Sequence, residues 1–236
     1  LVIFRLLRGQ RDPSPSERSS MHRVTQSVLL FTVFLLIGCQ PPRDPNTVVF
    51  LIESSPINLD PRIGNDAQSE RINQMLYNSL VRRDQDLKLQ PDLAENWEAL
   101  DPSTYIFHLR PNVRFHDGRI LTSADVKFTF ESLLDGSLTS VKSGTFRQIK
   151  KIETPDTHTV IFHLKKPYSL FPISLINGAI GIVPRGSGQE ISKRPIGSGM
   201  YRFVRALPDK NVILERNEDY FGNRPNIPRV EFKIVP

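Results

Sequence analysis

Nineteen prolines interrupt the 236-residue chain. That argues against a helical bundle, because a helix interior tolerates neither the proline ring nor the loss of its N–H donor. What lies between the prolines is short and mostly strand-like. Residues 47–52 form a continuous apolar run ending in Glu53-Ser54-Ser55-Pro56, the pattern of a buried strand entering a turn. Residues 105–110, 160–165, 200–204, 211–215 and 230–235 read as further strands, and 179–183 as a buried one. Helical spacing of Ile72, Met75, Leu76, Ser79 and Leu80 predicts a helix over 66–81. Thr122, with Asp125 three positions on, makes a capping-box start for a helix over 123–134. A short helix is expected within 168–176. Residues 90–97 read as an irregular link whose lone tryptophan, Trp97, anchors a core. Strands interleaved with helices give a mixed α/β class.

The front of the chain reads as an address. Met21-His22-Arg23 precedes the apolar run 28–37 and then Gly38, so residues 21–38 have the layout of a secretory signal peptide. About ten apolar residues are too few for a transmembrane helix, which needs about 20. Leu36-Ile37-Gly38-Cys39 resembles the lipobox of bacterial lipoproteins. That resemblance implies that Cys39, the only cysteine, takes a diacylglycerol and holds the protein at a membrane. Residues 39–46 carry Pro41, Pro42 and Pro45 and read as a stiff tether. Residues 1–20, polar and rich in Arg and Ser, read as a non-native extension and are set aside from the fold.

Several chemistries find no support. A single cysteine allows no intrachain disulfide and no Cys-cluster zinc site. Of the net charge of +6, residues 1–38 supply a surplus of three, leaving a mild excess with no basic block elsewhere; nucleic acid is a poor partner for it. No strand-then-GxGxxG unit, GxxxxGK[ST] loop or GxSxG elbow occurs, and Gly186-Ser187-Gly188 and Gly197-Ser198-Gly199 are too short to cradle a phosphate. His108 and His163 could share a metal only if their strands pair; alternation out of half-buried strands explains them better. Asp117 and Asp125 suit turn and cap roles. The reading is of a protein that is not an enzyme, with no cofactor and no metal.

One resemblance spans residues 46–236. Leu93-Ala94-Glu95-Asn96-Trp97, the run 104–118 (TYIFHLRPNVRFHDG) and 121–128 (LTSADVKF) resemble the signature of peptide-type, family 5 solute-binding proteins of ABC transporters. Pro195-Ile196-Gly197-Ser198-Gly199-Met200-Tyr201 and Leu214-Glu215-Arg216-Asn217 with Asp219-Tyr220-Phe221 and Arg224-Pro225 follow in the family's order. Met200 stands for its usual proline and Phe221 for its tryptophan. The resemblance implies a periplasmic-binding-protein type II-like lobe one with an inserted mixed subdomain: 47–80 as the first part of lobe one, 81–178 as the insert, and 179–236 as the return strands. Family members run to roughly twice this length, which implies that the second lobe is absent and a sheet edge is left unpaired.

The implied function is capture of a di- or oligopeptide outside the cytoplasmic membrane and delivery to ABC permease subunits, by a monomer lipid-anchored at a bacterial membrane. By position, Gly64, Asn65, Asp66 and Ala67 match a ligand-contacting loop; Ser140 to Thr145, with Ser143 and Gly144, match a second cleft segment, and Asn177 a third. Gly64-Asn65-Asp66 is equally a plain turn and helix cap. A nickel chelate, haem or an oligosaccharide remain alternative ligands. So do a sensory or structural role for a lipid-anchored binding fold, a lipoprotein hydrolase, and a fragment of a longer gene. An isolated half-cleft is expected to bind peptide weakly or not at all.

Overall fold

The computed structural model describes residues 44–176 and 178–235. The expected signal peptide and residues 39–43 of the tether, Cys39 among them, therefore lie outside the described residues. The strands are β1 (Thr47–Ile52), β2 (Val81–Arg83), β3 (Leu89–Pro91), β4 (Ala94–Asp101), β5 (Thr104–Leu109), β6 (Ile149–Glu153), β7 (Thr159–Leu164), β8 (Tyr201–Leu207), β9 (Asn211–Arg216) and β10 (Arg229–Ile234). The helices are α1 (Ala67–Leu76), α2 (Ser123–Leu134) and the single turns α3 (Ser143–Phe146) and α4 (Phe171–Ser174).

Two four-stranded sheets organise these elements. One has the order β1-β10-β9-β8, with β1 parallel to β10 and the other pairs antiparallel. The first strand thus pairs with the last, and the chain leaves this sheet after β1 and returns to it at β8. Inward-facing Val212, Leu214, Val230, Phe232 and Ile234 occupy alternate positions of β9 and β10 and bury against Ile72, Leu76 and Tyr77. The second sheet, β4-β5-β7-β6, is wholly antiparallel. Its Phe107 and Phe162 meet edge-on, at 5.7 Å between centroids, and Phe162 also meets Phe130 of α2 and Phe171 of α4, each at 5.2 Å. Each such pair adds about 0.5–1.5 kcal/mol beyond area burial. Trp97 stacks on Phe107 at the margin of this cluster.

α2 starts as the sequence indicates, the Asp125 carboxylate accepting the Thr122 N–H at 2.8 Å. Other expectations need correction. Residues 90–97 are not irregular: β3 and β4 occupy most of them, and Pro91 is accommodated in the short two-stranded β2–β3 sheet, where no central ladder bond is lost. Residues 179–183 are no strand; Ile180, Ile182 and Val183 are buried as an irregular segment, the Ile182 N–H bonding to the Asn78 carbonyl. β1 is an edge strand with Val49, Phe50 and Leu51 exposed, at 49%, 41% and 67%. The helix expected within 168–176 is one turn.

α1 has ten residues and stops at Leu76, short of the expected 81. The cause lies about 120 residues away in sequence. Residues 197–199 press onto the helix end, the Gly199 N–H donating to the Leu76 carbonyl at 2.9 Å. A Cβ on Gly197 would stand 2.0 Å from that carbonyl oxygen and one on Gly199 2.3 Å from that of Met75, so only glycine fits. His116 grips the same segment: its Nδ1 accepts the Gly197 N–H at 3.2 Å and its Nε2 lies 3.1 Å from the Gly199 carbonyl. On the other side Ser198 donates to Asn78 Oδ1, and Asn78 Nδ2 donates to the buried Asp92 carboxylate at 2.8 Å. The Gly-Ser-Gly run is a clamp on the C-terminal end of α1.

Candidate functional site

The N-terminus of α1 carries the expected contact loop. Asp66 caps the helix, its Oδ1 accepting the Ser69 N–H at 2.9 Å and its Oδ2 the Ile57 N–H at 3.3 Å. Burial works against its charge, but the bonds from Ser69 and Ile57 outweigh that and hold its pKa below 3.8. Gly64 is buried, and a Cβ there would stand 2.1 Å from the Asn58 carbonyl oxygen, so this glycine serves packing. Asn65 and Ala67 are exposed. They are the members of the loop free to meet a ligand.

The loop is held from beneath by Arg62, a charged side chain only 1% exposed. Its guanidinium forms a two-point ion pair with Asp60, Nε to Oδ1 at 3.0 Å and Nη2 to Oδ2 at 2.8 Å. Nη1 donates to Ser132 Oγ of α2 at 3.1 Å and Nη2 to the Ser187 carbonyl at 3.3 Å. The group lies over the Phe128 ring at 5.6 Å. Each nitrogen of the fork thus has an acceptor, as a desolvated guanidinium requires.

The second expected segment arrives at the same place. Ser140 Oγ donates to the Arg62 carbonyl, and Lys142 Nζ donates to the Pro61 carbonyl at 2.9 Å. Burial lowers the Lys142 pKa, while the Glu70 and Asp60 carboxylates oppose that shift. Ser143 opens α3 and is half-buried; Gly144 is exposed, with nothing within 4 Å of a Cβ added there. Asn177 lies outside the described residues. Its neighbour Gly178 lines a small cavity with Pro61, Glu70, Asn73 and Lys142, where the buried Asn73 amide has two polar atoms without a hydrogen-bond partner. Residues 60–67 and 140–145 are thus joined by two hydrogen bonds, with Asn65, Ala67, Gly144 and Thr145 exposed in the two segments that flank the join.

Sequence reasoning missed Asp60 and Arg62, and placed Lys142 within 140–145 without giving its ammonium a role. The one local signal was the Asp60-Pro61-Arg62 turn itself; the partners of Arg62 and Lys142 lie 70 to 125 residues away. His108 and His163 do sit on paired strands, but His108 faces Thr159 and His163 faces Thr104. Four residues along the strands separate them by about 13 Å, too far to share an ion. Among the described residues no group of three His, Cys, Asp or Glu side chains could hold a metal ion, and no helix is long and apolar enough to cross a membrane. A mostly apolar groove of about 660 Å³ lies between residues 55–59 and β8, with none of the expected contact residues lining it.

The chain is similar in sequence and fold to known proteins. A sequence profile of the bacterial extracellular solute-binding proteins, family 5 (middle region), matches residues 88–236. The oligopeptide-binding protein AppA of Bacillus subtilis is 33% identical over 182 residues, covering 72% of this chain and 34% of AppA. The crystal structure of that protein with a nonapeptide superposes with a TM-score of 0.76 at 28% identity, covering 80% of this chain and 40% of the other. NikZ of Campylobacter jejuni, in complex with Ni(L-His), gives 0.75 at 27% identity over 81% and 40%. The chain therefore spans a little over a third of the length of AppA and about 40% of these solved structures.

Proposed function

The chain belongs to the bacterial extracellular solute-binding proteins of family 5, and from that membership we propose that it supplies one wall of a solute cleft. In this reading the solute is a di- or oligopeptide, captured outside the cytoplasmic membrane and passed to an ABC permease. Cys39 provides the lipid anchor. Residues 47–80 and 179–236 form a first lobe from which 81–178 emerge as an insert.

The observation that carries the proposal is the joining of 60–67 to 140–145 through Lys142 and Ser140. Two segments assigned separately to a cleft form one surface. That surface suits an extended peptide, which is held largely through main-chain hydrogen bonds while side chains stay variable. Asn65, Ala67 and Gly144 are exposed there. The length that relatives carry beyond this chain would close the other face. With one face of the ligand left in water, the cost of ordering it goes largely uncompensated.

The test is calorimetry on two proteins. A chimera in which residues 45–235 replace the matching part of AppA is expected to bind the nonapeptide at micromolar or better affinity, and Ni(L-His) far more weakly. Residues 45–235 alone are expected to bind it at millimolar or worse. A folded chimera that binds no peptide contradicts the reading, and so does micromolar binding by the isolated chain.

A further inference from the structure

We infer that the buried Asp60–Arg62 pair, with Ser140 and Lys142, is a latch that keeps residues 60–67 and 140–145 as one rigid wall, and that Arg62 is its positioning residue. A buried ion pair is a poor source of stability, since desolvation of both charges offsets their attraction, and apolar replacements of similar volume commonly do as well. Here the pair is 1% exposed on both sides, so stability alone does not account for it. What an apolar pair could not supply is direction. Arg62 fixes its own backbone, because its N–H donates to Asp60 Oδ1 at 2.9 Å while Nε donates to the same oxygen. Its remaining bonds anchor the turn to α2 and to the Ser187 carbonyl. The turn so held presents the Pro61 and Arg62 carbonyls to residues 140–142, where Lys142 and Ser140 donate to them.

The latch spans 78 and 81 residues of sequence in its two outer bonds. Among the described residues no helix or strand ladder ties 140–142 to the 60–66 turn, so these bonds are what make the two segments move together. That the wall faces a ligand rests on the function proposed above; the latch itself does not.

Native-state hydrogen exchange reads it without ligand, since the bonded amides are known: Ile63 and Gly64 to the Asp60 carbonyl, Ser143 to that of Ser140, Thr145 to that of Lys142. In the double variant Asp60→Leu/Arg62→Met, all four amides are expected to exchange at least about tenfold faster, with the melting temperature within a few degrees of the parent. In Lys142→Met, Ser143 and Thr145 are expected to speed up while Ile63 and Gly64 do not. Unchanged exchange in the double variant overturns the latch. Failure to fold, or uniformly faster exchange with a large drop in melting temperature, assigns the pair to stability and overturns it as well. A null result in Lys142→Met removes the coupling between the segments. None of these outcomes bears on whether the chain binds solute, which the calorimetry decides separately.

Discussion

Asp92 and His116 flank the same Gly-Ser-Gly clamp, and their titrations are set against each other. Burial raises the Asp92 pKa from 3.8 to about 6, although the Ser79 N–H and Asn78 amide bond to it and Arg82 and Arg110 stand nearby. Burial lowers the His116 pKa from 6.5 to about 4, against the opposing hydrogen bond to Gly199. Each tenfold step is worth about 1.4 kcal/mol, so each group contributes about 3 kcal/mol of pH dependence; for His116, which is partly exposed, that is an upper bound. The signs are opposite. The Asp92 contribution is complete below pH 3.8 and is lost as pH rises through about 6. The His116 contribution is complete above pH 6.5 and is lost as pH falls through about 4. Between about pH 4 and 6 the two slopes cancel. Urea unfolding at half-unit pH steps should therefore show Asp92→Asn losing about 3 kcal/mol relative to the parent between about pH 6.5 and 4. His116→Gln should gain a similar amount over the same interval. The amide that replaces the carboxylate in Asp92→Asn can serve only one of the two donors well, which adds a constant penalty of about 1 kcal/mol without a slope. Carboxylates with depressed pKa values, such as Asp66 and Asp101, titrate alike in all three proteins and drop out of the differences. Parallel pH profiles for parent and variants would refute the opposing-burial argument.

Three further outcomes follow from packing. Gly197→Ala places a Cβ 2.0 Å from the Leu76 carbonyl and should cost about 3 kcal/mol, whereas Gly144→Ala meets nothing within 4 Å and should be neutral or up to about 1 kcal/mol stabilising; chemical denaturation of the pair compares them directly. Phe162→Ala removes a ring at the junction of β7, α2 and α4 and should cost about 3–5 kcal/mol in the same assay. Asp66→Ala deletes the α1 cap and should cost about 1 kcal/mol, with faster amide exchange at Ser69 as the local readout.

Much of the fold was legible because its information is local. Short β-branched and aromatic runs marked β5, β7, β9 and β10, and Thr122 with Asp125 marked the first turn of α2. The misreadings share a cause. Ser79 and Leu80 keep helical spacing and are buried, but the helix is cut at Leu76 by glycines more than a hundred residues on. Ile180, Ile182 and Val183 are as buried as any central strand, and burial without pairing partners looks the same in a sequence. β1 reads as buried from its apolar run, yet an edge strand leaves half of that surface open. The site divides the same way. The 64–67 loop could be located by resemblance, and Asp66 by its cap position. Arg62 and Lys142 could not, since nothing near Pro61 reveals that its carbonyl faces an ammonium 81 residues later.

The most direct measurement is an amide chemical-shift titration of residues 45–235 with an oligopeptide at millimolar concentration. The account places the shifts at Asn65, Ala67, Ser143 and Gly144, with saturation beyond about a millimolar. Shifts centred instead on Ile57, Val204 and Leu207 in the apolar groove beside β8, or none at the first four amides, would contradict it.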